Sequence, residues 1–329
     1  MRIGREQVRD VRRRARRLAR RTAAVGYRSF LVPVLGRAET EHSLDLACRL
    51  ATERRAQVIL VAPLVVEREL PIDAHFDRET RVLRVRLERA AKIARSYGVG
   101  VKRRLVRTRA GALGSDLAEV ARDHRAELLV VGAPVESRRG FRRAFPSEIL
   151  SIVREAPCRV MIVSGPVVRR PRQERAVLSK ILVPMKLGPI GDEMVATAIR
   201  LAGDQHAAVE ALFVVKVPLD EPLDAPLHDL EEQAAASIAE AKTLGADNGV
   251  VVEGRIVRAR SIGRAIVTAA RESGADLIVL GSSPRWRRQA RFFSPTVDFV
   301  LRRAPAEVLV VAFPEGVLDP VSDATLRQS

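Results

Sequence analysis

The sequence predicts an α/β chain of two tandem, doubly wound domains, each a five-stranded parallel sheet covered by helices on both faces. Three observations carry this expectation. At 329 residues the chain exceeds one ordinary core and suits two domains of about 150 residues each. Short apolar runs of Val, Leu, Ala and Ile alternate with amphipathic stretches, as buried parallel strands under helices require. The chain also repeats itself. SFLVP at 29–33 returns as KILVP at 180–184, an offset of 151, and ACRLA at 47–51 returns as AIRLA at 198–202. PIDA at 71–74 returns as PLDA at 222–225, and RLVRTR at 104–109 as RIVRAR at 255–260. After a two-residue contraction, AELLVVG at 126–132 returns as ADLIVLG at 275–281. One register kept over so many segments marks a duplication.

The elements of the first copy follow in order. Residues 28–34 are an apolar run that reads as the first strand, and 39–54 carry apolar positions at helical spacing. Residues 58–62 read as the second strand. The segment 76–97 holds Val82, Val85, Ala90 and Ala94 among arginines, an exposed amphipathic helix. Residues 101–106 form the third strand, 113–124 a helix and 128–132 the fourth strand. An arginine-rich loop, a helix over 146–155 and a fifth strand at 159–163 complete the copy, and the second copy repeats the order from 181 to 312. Right-handed crossovers then join the strands, and ligands in such sheets sit beyond the carboxyl ends of the strands. That places residues 34–36, Pro63, 132–145 and their repeats at the crevice. The domain reading is a basic tail at 1–25, domains at 26–163 and 179–313, a linker at 164–178 with Pro166 and Pro171, and a second tail at 314–329.

Composition narrows the function classes. Apolar residues make up 47%, charged residues 29% and aromatic residues 4%, the profile of a globular protein. The longest apolar stretch, 58–66, has nine residues including a proline, far below the roughly 20 that span a bilayer. No apolar core follows the N-terminal charges, so a secretory signal is not expected and a cytoplasmic location is. Cys48 and Cys158 fit no metal or redox spacing and read as reduced core residues. His42, His75, His124, His206 and His228 are scattered without ligand spacing and read as solvated. No nucleophile elbow, phosphate-binding P-loop or dinucleotide fingerprint is present, and the Glu231–Glu232 pair reads as surface charge.

The net charge of +17 is uneven. Residues 1–25 carry ten arginines against Glu6 and Asp10, and 26–163 hold 26 basic against 17 acidic residues. Residues 179–313 hold 16 basic against 17 acidic. Such asymmetry speaks to partners rather than to fold. In 1–25, Val8, Val11, Ala15 and Leu18 share one helical face amid arginines, a stripe suited to an anionic membrane surface or to nucleic-acid phosphates. In isolation it reads as a disordered basic tail, and no base-reading motif accompanies it.

The element order, the ADLIVLG fourth strand and the APAEVLVV ending at 304–311 resemble the universal stress protein family in tandem form, over residues 26–313. The resemblance implies the universal-stress, adenine-nucleotide-hydrolase-like fold, two copies paired as an internal pseudo-dimer, and a stress-response or regulatory role. ERELPIDA at 67–74 and DEPLDAPL at 220–227 are also similar to universal-stress-like cytoplasmic tails of amino-acid permeases. Nucleotide-binding members carry an Asp ending strand one and Gly-x2-Gly-x9-Gly-(Ser/Thr) after strand four. Both copies depart from this pattern. In the second, Gly281 matches, but Pro284, Ser294 and Pro295 stand at the later positions, followed by Thr296. In the first, Gly132 matches, while Val135 and Phe145 replace the glycines and Pro146 precedes Ser147. Leu35 and Lys186 replace the aspartate. Glycines there let backbone N–H groups turn toward phosphate with no Cβ in the way.

The expectation is therefore a degenerate first site (Gly132, Ser147) and a second candidate site for ATP or another adenine nucleotide at Met185, Lys186, Gly281, Ser282, Ser294 and Thr296. Ser294 followed by Pro295 reads most simply as a helix cap, with an anion site as the alternative. Arg138, Arg139, Arg142 and Arg143 in the first copy, and Arg285, Arg287, Arg288 and Arg291 in the second, are candidate anion ligands, the latter interleaved with Trp286, Phe292 and Phe293. Solvated loops are the competing reading. The function expected is a non-catalytic regulatory protein, with a protein partner or a homo-oligomer. A slow ATPase and a basic adaptor are the alternatives.

Overall fold

The computed structural model describes residues 27–36, 38–52, 56–133, 136–138, 141–144, 146–164, 178–203, 206–224, 226–282 and 293–312. These form two compact units, one built mainly on each copy of the repeat. The tail 1–25 and most of the linker lie outside the described residues.

The first unit contains β1 (Ser29–Pro33), α1 (Ala38–Thr52), β2 (Gln57–Val66), α2 (Asp77–Ser96), β3 (Gly100–Arg109), α3 (Leu113–Asp123), β4 (Leu128–Gly132), β5 (Glu136–Arg138), β6 (Phe141–Ala144), α4 (Ser147–Glu155) and β7 (Arg159–Ser164). Its parallel sheet runs β3-β2-β1-β4-β7. The strand order reverses at β1 and β4, which opens a crevice at their carboxyl ends. The centre of the sheet is dry. Residues 58–62 and 128–131 are fully buried, as are Phe30, Leu31 and Ile162, each side chain larger than alanine contributing about 1.5–3 kcal/mol through burial.

In the second unit, β8 (Lys180–Pro184), α5 (Pro189–Gly203), β9 (Ala208–Lys216), α6 (His228–Asp247), β10 (Val252–Ala259), α7 (Ile262–Ser273), β11 (Leu277–Ser282), α8 (Pro295–Arg303) and β12 (Glu307–Ala312) follow the same order. The parallel sheet runs β10-β9-β8-β11, with β12 beyond β11. Local signals explain the helix ends. Ser261 caps α7 by accepting from the Arg264 N–H, and Gly274 closes it at φ 64°.

The duplication extends to individual hydrogen bonds. Val34 N–H donates to the Val61 carbonyl at 2.7 Å, and Met185 N–H to that of Leu212 at the same distance. The acid just before the fourth strand accepts from the chain entering the first strand in both copies: Glu127 from Arg28 N–H at 2.7 Å, Asp276 from Ser179 N–H at 2.8 Å.

Several sequence expectations need correction. The helix over 76–97 turns Val82 and Val85 outward, 44% and 66% exposed, and buries Leu83, Leu87 and Ala91 together with Ala90 and Ala94. The stripe that faces the core starts with Leu83 and Leu87, an i, i+4 pair, and continues through Ala90, Ala91 and Ala94, and the valines fall beside it. The arginine-rich loop after β4 contains an antiparallel hairpin, β5–β6. Glu231 accepts from Arg258 Nε at 2.7 Å and is no free surface carboxylate. His42 and His124 are half-buried, whereas His75, His206 and His228 are exposed. Cys48 and Cys158 are buried free thiols, and burial pushes both up to about 12.

Candidate functional site

The crevice of the second copy lies where β8 and β11 run side by side, Leu277 opposite Ile181 and Ile278 opposite Leu182. Met185 and Lys186 follow β8, and Gly281 and Ser282 end β11, so the sheet brings these four to neighbouring strand ends. Ser294 and Thr296 stand at the start of α8. Residues 283–292 between them, with Arg285, Arg287, Arg288 and Arg291, lie outside the described residues.

Several of the groups here that could grip a phosphate have structural work. A Cβ on Gly281 would lie 2.3 Å from Ile190 Cγ2 and 3.3 Å from Met194 Cγ. The glycine therefore admits α5 against β11, and side chains of that helix occupy the space above it. The Met185 amide is bonded to the Leu212 carbonyl. The Ser294 hydroxyl accepts from Val297 N–H at 3.2 Å and caps α8, with Pro295 at the first helical position. Lys186 is exposed, and its carbonyl oxygen would be 1.7 Å from a Cβ on Gly191. Only glycine fits at 191, and Thr40 holds the equivalent position in the first copy. Ser282 is 5% exposed, and Thr296 is half-buried.

In the first copy Gly132 is buried and sits opposite Val163 of β7. Ser147 is exposed at the first turn of α4, whose cap, Pro146, makes no side-chain bond. Arg138 falls on β5, and Arg142 and Arg143 on β6. Val135, Arg139 and Phe145 lie outside the described residues.

Sequence reasoning missed a pair of arginines that recur in both copies. Arg107 donates to the carbonyls of Ile72 and Ala74 at 2.7 and 2.9 Å, and Arg109 to those of Glu67, at 2.8 Å, and Leu70. At the 151-residue offset, Arg258 donates to Leu223 at 3.3 Å, and Arg260 to Pro218 and to Glu221, the latter at 2.9 Å. Two guanidinium forks on the third strand thus latch the segment after the second strand. The signal was present in RLVRTR and RIVRAR, where arginines two apart on a strand share a face. Arg104 is used differently, donating through Nε to His124 Nε2 at 3.2 Å.

Beside the second latch is a cleft of about 580 Å³ between β10 and α7, lined by Arg255, Arg258, Arg260 and Arg264. Among the described residues, no group of His, Cys, Asp and Glu is arranged to hold a metal ion, and no helix is long and apolar enough to cross a membrane.

Comparison with known proteins adds the following. The sequence profile of the universal stress protein family matches residues 26–164 and 178–312. A universal stress protein from Archaeoglobus fulgidus DSM 4304 superposes with a TM-score of 0.56 at 13% identity, over 87% of this chain and 97% of that one. The cytoplasmic domain of a prokaryotic cation chloride cotransporter superposes with a TM-score of 0.55 at 14% identity, over 88% and 97%. At these identities the likeness is one of fold. Among curated proteins, no sequence matches.

Proposed function

The chain belongs to the universal stress protein family, and from that premise we propose that it is a non-catalytic regulatory protein, acting in the cytoplasm through a protein partner. Its first copy has a degenerate nucleotide site, and its second binds an anion or ATP weakly at most. The observation that carries this reading is the position of Gly281. The space a phosphate cradle needs above that glycine is taken by Ile190 and Met194. Supporting it, the Ser294 hydroxyl is committed to Val297 N–H and the Met185 amide to the Leu212 carbonyl. Lys186 stands where nucleotide-binding relatives would hold an aspartate. With the Met185 and Val297 amides bonded within the fold, fewer N–H donors are left for the phosphate recognition that a nucleotide relies on.

Isothermal titration of the full chain with ATP tests the reading, with Lys186→Ala and Thr296→Val as mapping variants. The expectation is no saturable binding at micromolar ATP, and no effect of either variant on whatever weaker binding exists. Micromolar binding abolished by these substitutions, or ATP hydrolysis abolished by them, would refute it and favour the slow ATPase.

A further inference from the structure

We propose that the cleft between β10 and α7 binds a phosphorylated small organic molecule, at a place separate from the strand-end crevice. Its volume of about 580 Å³ falls in the range of small-molecule pockets, roughly 300–1,000 Å³. Four arginines line it, and no carboxylate does.

The partners of these arginines decide how much charge is free. Arg258 is paired with Glu231. Arg255 is paired with Glu272, whose hydrogen bond raises its pKa, and lies 3.7 Å from the buried Glu210 carboxylate. Those two are neutralised. Arg260 is different: its partners are the carbonyls of Pro218 and Glu221, which fix the guanidinium but leave its charge. Arg264 is exposed on the first turn of α7, and its guanidinium meets no acidic partner among the described residues. Two uncompensated guanidinium groups therefore face one cleft, one of them held rigid. Guanidinium forks match phosphate bidentately. Leu219 and Val257 add apolar wall for the body of the ligand.

The internal repeat supplies an independent comparison. With the caps Ala112 and Ser261 aligned, the first copy holds Ser115, Asp116 and Glu119 where the second holds Arg264, Ala265 and Thr268. Two carboxylates are gone and a cation is gained. The opposite change, Arg68 to Leu219, removes one cation, so the lining of the second copy stands two charges more positive than its counterpart. The strand arginines, by contrast, are the same in both. Within the helix the difference is confined to the turns that line the cleft, while Glu231 and Glu210, the partners of Arg258 and Arg255, stand where the first copy has Thr80 and Ile59.

Titration of the full chain with pyrophosphate at low salt tests the proposal by calorimetry. One saturable site of millimolar affinity or better is expected. Arg264→Gln should weaken it by about tenfold, the loss of one charge-assisted phosphate contact. Arg271→Gln removes the same charge about 10 Å further along α7 and should change it less than about twofold, the share of unscreened surface charge. Ala265→Asp, which restores the carboxylate of the first copy on a half-buried helix position, should abolish binding with the circular dichroism unchanged. No saturation by millimolar pyrophosphate, or equal weakening by Arg264→Gln and Arg271→Gln, overturns the proposal. Binding lost instead on Lys186→Ala does so too, and would count against the proposed function at the same time.

Discussion

Replacing Gly281 by alanine puts a methyl carbon 2.3 Å from Ile190 Cγ2 and 3.3 Å from Met194 Cγ. Non-bonded carbons rest at roughly 3.5–4.0 Å, so Ile190 must give way by about 1 Å or more, or α5 must lift from β11. Met194 can adjust through its flexible chain, but Ile190 cannot, because Cγ2 branches directly from Cβ and the residue is 5% exposed. Overpacking of this kind costs about 1–3 kcal/mol. For a domain of this size that lowers the thermal midpoint by roughly 2–12 °C. Calorimetric unfolding of the full chain should show it in the transition of the second unit. In an Ile190→Ala background the methyl has room, and the penalty of Gly281→Ala should shrink to below about 0.5 kcal/mol, the limit of ordinary additivity. Unchanged stability in the single variant, or an equal loss in both backgrounds, refutes the packing role. Retained stability with weakened ATP binding would return Gly281 to phosphate recognition.

The remaining predictions concern the latches and one imidazole. Arg109→Ala and Arg260→Ala each remove carbonyl bonds to the segment after the second strand and should cost about 1–2 kcal/mol. Limited proteolysis should then cut faster within 67–74 or 218–224 respectively, and an unchanged cleavage pattern would show the bonds to be idle. Burial, and then the charges of Arg104 and Lys102, hold the His124 pKa below its usual value against a smaller opposing effect of Asp123. The unfolded chain therefore binds this proton more readily. The stabilisation is fully present above the usual imidazole value and is lost as pH falls through the lowered one. An NMR titration should find that lowered midpoint and its rise in Arg104→Gln, and a midpoint at or above the usual value would contradict the reading.

The architecture was legible because a parallel sheet writes itself as apolar runs, and here it was written twice. VILVA at 58–62 and LLVV at 128–131 could scarcely lie anywhere but under helices. The face of α2 was harder. Val82 and Val85 match a helical stripe as well as Leu83 and Leu87 do, and only the packing of α2 on β2 and β3 chooses between them. Gly281 was visible as a glycine, but its purpose depends on how closely α5 approaches β11, a distance that no spacing encodes. The strand arginines were missed for a related reason. A sequence counts charges without showing whether each meets a carboxylate, as Arg258 does, or a carbonyl, as Arg260 does. That distinction separates a neutral surface from a cationic one.

Because Arg109 and Arg260 hold main-chain oxygens at corresponding positions, their grip is indifferent to the side chains that the held segment displays. ERELPIDA at 67–74 and PLDEPLDA at 218–225 share only Pro, Asp and Ala at their ends, yet residues 67, 70 and 72 are clasped as residues 218, 221 and 223 are. Each such segment is an interchangeable cassette, free to vary in what it shows to the outside while its path stays fixed. A chimera that trades one for the other should keep both sheets intact and exchange only their outward chemistry.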